Sequence, residues 1–134
     1  MKKIVRSTVV TVFLLLTCLT LSAQAKLTIV NNSMRLMTVK VMKGYSSPAE
    51  LYESVTVNAY DRVTVYFSNS GTFFTKTKAV LNGKDPVYRK GESFQVTSNS
   101  TGYSVMTLTF TIVESTIPQA TGGKTISKTE FDQN

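Results

Sequence analysis

Cationic side chains are the residues whose spacing points most directly to chemistry. Lys76 and Lys78 precede the pair Asn82-Gly83, and Arg89 and Lys90 follow it. Asn-Gly between two β-rich runs signals a two-residue type I′ turn, because both central positions need positive φ. Such a turn pairs Leu81 with Lys84, and so sets Lys76 opposite Arg89 and Lys78 opposite Val87. Alternation then places Lys76, Lys78 and Arg89 on one face, with Lys90 joining from the adjoining turn. Like charges directly opposite one another destabilise a sheet. A patch kept despite that cost would suit an anion, either an acidic glycan or the acidic surface of a protein. The competing reading is ordinary edge charge that deters strand-to-strand aggregation.

Other chemistries lack their residues. The chain has 134 residues, no His and one Cys. That leaves no Ser-His-Asp or Cys-His centre, no His-bound zinc, no histidine switch and no internal disulfide. The eight acids are Glu50, Glu53, Asp61, Asp85, Glu92, Glu114, Glu130 and Asp132. None forms a D-x-D cluster, and most fall at turns or ends, as solvated residues do. A small hydrolase would need the fold to bring two of them together. No loop has the acid density that calcium requires. Thr121-Gly122-Gly123-Lys124-Thr125 looks like a fragment of a phosphate loop, but lacks the full spacing and a strand-to-helix setting. No metal, cofactor or enzymatic activity is expected. Tyr45, Tyr52, Tyr60, Tyr88 and Tyr103 sit at loops or strand ends, where tyrosines line core edges, stack on sugars or anchor interfaces. The row Thr107-Thr109-Thr111 reads as the solvent face of a strand.

The elements that position these residues read as strands. Thr and Val dominate, and apolar residues alternate with polar ones rather than recurring at helical spacing. Strands are predicted over 27–30, 35–42, 51–57, 62–68, 72–81, 84–89, 93–97 and 103–114. Met37, Val39 and Val41 share one face, as do Met106, Leu108, Phe110 and Ile112. Pro86 argues that its strand lies at an edge. Short strands with turns every 8–12 residues imply an all-β fold, here an antiparallel β-sandwich, Ig-like or jelly-roll-like, of about 7–9 strands. The sandwich is expected over 26–117. Residues 118–134 are expected to form a tail, or a closing segment anchored by Ile126 and Phe131.

Residues 1–25 read as a secretory signal peptide: a basic start, an apolar run from Val9 to Leu21, and Ala23 and Ala25 at an A-x-A cleavage site. The short basic start and the Ser22-Ala23-Gln24-Ala25 ending resemble export signals of Gram-negative bacteria, particularly Bacteroidota. Thr17 stands where a lipobox places Gly, Ala or Ser, so lipid attachment at Cys18 is not expected. Cleavage after Ala25 leaves 109 residues without cysteine, with no transmembrane span, and with twelve Lys and Arg against eight Asp and Glu. A net charge of +4 in an export compartment favours acidic glycans or envelope proteins over nucleic acid. The expectation is an exported, non-enzymatic binding module at the periplasm or cell surface. The alternative is a structural or accessory subunit of an envelope assembly, exchanging an edge strand or its tail.

Overall fold

Alternation along the chain becomes alternation across sheets. A computed structural model describes residues 24–45, 48–114, 119–121 and 123–134. The expected signal sequence, with Cys18, lies outside the described residues except for its last two positions. The described chain is mostly β. Its strands are β1 (Ala25–Asn32), β2 (Leu36–Lys43), β3 (Glu50–Val57), β4 (Arg62–Phe67), β5 (Gly71–Val80) and β6 (Val87–Lys90). They continue with β7 (Phe94–Val96), β8 (Ser98–Asn99), β9 (Gly102–Tyr103), β10 (Val105–Val113), β11 (Gln119–Ala120) and β12 (Lys124–Thr125). One short helix, α1 (Lys128–Asp132), follows.

Sheet I runs β11-β10-β1-β4. Sheet II runs β12-β6-β5-β2-β3, and β7 also pairs with β5. β8 and β9 pair with each other. All pairs are antiparallel except β1 with β10, which run parallel, so the expectation of a wholly antiparallel fold is corrected at that one junction. Parallel neighbours need a long connection, and everything from β2 to β9 lies between these two strands.

The inward-facing residues of both sheets form one apolar cluster. Sheet I contributes Leu27, Ile29, Val65, Phe67, Phe110 and Ile112; sheet II contributes Met37, Val39, Val41, Val57, Phe73 and Ala79. Each set keeps the period of two that pleating imposes. The cluster ends in an aromatic run: Tyr52 stacks on Phe67 at 5.2 Å, Phe67 meets Phe73 at 4.8 Å, and Phe73 reaches Phe94 at 6.3 Å.

Two polar residues share the parity of the core. Asn31 continues the Leu27–Ile29 face, and Arg35 continues the Met37–Val39–Val41 face; both are fully buried. Asn31 Nδ2 donates to the carbonyls of Arg35, Val57 and Asn58, and Ser33 Oγ donates back to Asn31 Oδ1 at 2.6 Å. Arg35 lies level with Glu114 in a fork: Nε donates to Oε2 and Nη2 to Oε1, both at 2.9 Å. Its Nη1 donates to the carbonyls of Ala79 and Asp85. A buried guanidinium is tolerable only when paired and hydrogen-bonded in this way. The pair ties the end of β10 to the start of β2, and the Arg35 hydrogen bonds hold the Glu114 carboxyl below its ordinary range against the opposing effect of burial.

Candidate functional site

A turn forms at Asn82-Gly83, with the Lys84 amide donating to the Leu81 carbonyl at 3.1 Å and Gly83 at φ 80°, but Asn82 does not take positive φ, so the expected type I′ turn is corrected. The pairing beyond it is displaced by one residue. Lys76 lies opposite Lys90, Thr77 opposite Arg89, Lys78 opposite Tyr88 and Ala79 opposite Val87. The cause sits in Asp85-Pro86. Pro86 has no amide to give the ladder, and the Asp85 carbonyl is taken by Arg35 at 2.7 Å. The return strand therefore starts only at Val87, with one extra residue absorbed beforehand. Because the side-chain period is two, a slip of one moves a residue to the other face. Lys76, Lys78 and Lys90 share a face; Arg89 does not, which corrects the expected grouping.

Arg89 instead lies level with Thr125 of β12, donates to Thr125 Oγ1 at 2.9 Å, and also donates to the Gly123 carbonyl. Gly123 itself adopts φ 83°, and a Cβ there would lie 2.0 Å from the Lys90 carbonyl oxygen. Gly123 thus serves a close backbone crossing.

The corrected register exposes a pattern that spans four strands. Lys40 lies level with Lys76, Lys76 with Lys90, and Lys90 with Lys124. Four lysines form one row across β2, β5, β6 and β12, on the outer face of sheet II. Such a row repels itself, and the chain answers it with α1. Lys76 Nζ donates to the carbonyls of Glu130 and Gln133, both at 2.7 Å. Lys40 Nζ donates to the Phe131 carbonyl at 3.0 Å and lies 4.6 Å from the centre of the Phe131 ring. Lys90 Nζ stands 3.9 Å from Glu130 Oε1 and 5.1 Å from the Phe74 ring. The last carbonyls of a helix lack intrahelical partners and carry partial negative charge. Here ammonium groups from the sheet satisfy them. Lys76 is fully buried beneath the helix. Burial pushes its ammonium below the usual lysine range; Glu130 opposes that shift, and Lys90 and Lys40 add to it.

α1 is held by Phe131, which is buried and tilts against Tyr88 at 5.6 Å, and by the buried Ile126, whose amide donates to the Tyr88 carbonyl. Its start is written in the sequence. Ser127 accepts from the Glu130 amide at 3.1 Å, and Ser-Lys-Thr-Glu is the spacing of a capping box. That signal would have placed a helix in the expected tail. Arg35 and Glu114 are 79 positions apart, and only the charge standing at a core position of β2 hints at the pair.

A second region lies along β10. β10 is bonded to β1 along Val105–Thr111 on one side. On the other side, β11 reaches only Ile112 and Val113, and Thr121 adds one bond to the Thr111 carbonyl. The Lys26 amide donates to the Ser104 carbonyl while Lys26 lies level with Val105. In a parallel ladder that geometry turns the even residues of β10 toward β1 and the odd residues away. The backbone groups of Val105, Thr107 and Thr109 therefore face outward, and no described strand pairs with them.

A cleft of about 1060 Å³ opens beside this edge. Leu108 and Phe110 of β10 form one wall, Phe94 and Thr75 of sheet II lie across from them, and Gly91 and Lys124 are at the rim. Among the described residues, no group of three or more His, Cys, Asp or Glu comes together, and no helix is long and apolar enough to cross a membrane. Comparison with known proteins finds no matching family model, curated relative or solved structure.

Proposed function

We propose that the chain is an exported, non-enzymatic β-sandwich that acts as an interaction module of the bacterial envelope, and that its partner is a protein. Sheets I and II are the two layers, packed through the shared cluster of inward-facing residues. Support for export rests on the signal-like residues 1–25.

The observation that carries the reading is the open cleft beside β10, where an apolar wall and an unpaired backbone edge meet. Apolar surface and unpaired amides suit a polypeptide. An acidic glycan is the weaker candidate, because Lys76 and Lys90 already engage α1.

The test is retention of envelope proteins by the exported chain, compared with a Leu108→Glu variant that charges the cleft wall. One defined protein held by the parent and lost by the variant is the expected result. Equal retention by both, or binding only to acidic polysaccharide with dependence on Lys78 and Lys124, would contradict the reading.

A further inference from the structure

The cleft's geometry specifies more than the presence of a partner. The chain's edges are protected unequally. β3 carries Glu50 and Glu53, β4 carries Arg62, and β12 carries Lys124. Charges and prolines are the usual means of stopping an edge from recruiting another strand. β10 has neither from Val105 to Val113. It is also the strand whose outward side is partly used already, since β11 lies antiparallel on its far end. Below that point Met106 and Leu108 point inward yet remain only half-buried, while Phe110 and Ile112, further along toward the β11 end, are buried. Phe94 and Thr75 of sheet II line the same cleft as Leu108 and Phe110. Along β10 the cleft thus meets backbone donors and acceptors that no described strand pairs, with apolar side chains beside them.

Resting on the interaction reading above, we infer that the cleft takes a single extended segment of a partner polypeptide, which pairs with the outward backbone groups of Val105, Thr107 and Thr109. The segment continues the line of β11 and extends sheet I by one strand. Its alternate side chains are apolar and pack on Leu108, Phe110 and Phe94; the intervening ones face solvent beside Thr107 and Thr109. This is strand addition, in which main-chain bonds supply affinity and alternate pockets supply selectivity. A whole second copy fits less well, because β11 already occupies the far end of this edge and leaves only Val105–Thr109 for pairing.

The experiment selects binders to the full chain from a displayed library of peptides of about seven residues, the size of a strand. The expected binders carry apolar residues at every second position. N-methylation at the positions that donate to β10 should weaken them about tenfold or more, and Thr107→Pro should do the same while amide protection at Met106 and Leu108 is retained. Binders with helical spacing, or binders indifferent to N-methylation, would overturn strand addition and leave the interaction reading standing. If Thr107→Pro fails to fold, the methylated peptides decide alone. A library that yields no binder to the cleft would overturn both readings. A concentration-dependent dimer abolished by Thr107→Pro would assign the edge to a second copy and overturn the single-segment occupant.

Discussion

Two parts of the molecule treat unsatisfied groups in opposite ways. The outer face of sheet II holds four lysines in a row, and the C-terminal helix engages three of them: its carbonyls accept from Lys40 and Lys76, and Glu130 faces Lys90, while Lys124 stays exposed. The side of β10 away from β1 holds amides that no described strand pairs, beside the half-buried Met106 and Leu108, and among the described residues only its last positions are covered, by β11. The two regions meet at Lys90 and Lys124, which belong to the lysine row and also line the cleft. The lysines at the centre of the row are matched by the helix, whereas the uncharged strand is left incomplete.

The contrast can be broken first at β10 itself. Leu108 has its amide toward β1 and Thr107 has its amide toward solvent. Proline at Leu108 should cost about 3 kcal/mol or more, as in any interior strand position that loses a bond. Proline at Thr107 should cost about 1 kcal/mol or less, as tolerated at edges. Urea denaturation of the two variants measures the gap, and equal losses would mean the edge is not free.

Next in size is the closed face. Phe131→Ala should release α1, with a loss of up to about 3 kcal/mol, the low end for a buried aromatic. Faster exchange at Ile126, Phe131 and Gln133 with β10 unaffected is the expected signature. Lys76→Met should cost about 1.5 kcal/mol through the two charge-assisted bonds to the helix, offset in part by relief of the lysine row. Its pH dependence has a defined sign. Burial holds the Lys76 ammonium below its ordinary 10.5, so the folded chain binds fewer protons there and stability rises as pH climbs toward that value. Lys76→Met should remove this rise.

Glu114 is read through its pH dependence. Hydrogen bonds from Arg35 hold its carboxyl below the ordinary 4.5, so its contribution is complete above that pH and lost as pH falls through the lowered value. Glu114→Gln should flatten the acid limb of a stability profile, acting where the end of β10 is tied to the start of β2.

Much of the fold could be read from local pattern. Every long strand falls where alternation placed it, because pleating imposes its period on the sequence directly. Ile126 and Phe131, the anchors named for a closing segment as against a tail, are buried. The candidate patch was half legible. Lys76, Lys78 and Lys90 share a face, but the partner of each depended on a one-residue slip set by Asp85-Pro86 and by Arg35, whose bonds reach 44 and 50 positions along the chain. Lys40 and Lys124 could not be joined to the row from sequence, since strand order is a long-range property. The open side of β10 was invisible for the same reason: the residues read as a strand, and nothing local says which of its sides lacks a neighbour.

The most direct test is residue-by-residue amide exchange along β10 in the free chain. The account predicts alternation: Met106, Leu108 and Phe110 protected by β1, and Val105, Thr107 and Thr109 exchanging near the rate of exposed amides. Uniform protection of all six would show that the edge is already covered, and would contradict the claim that the molecule is built with one side left open.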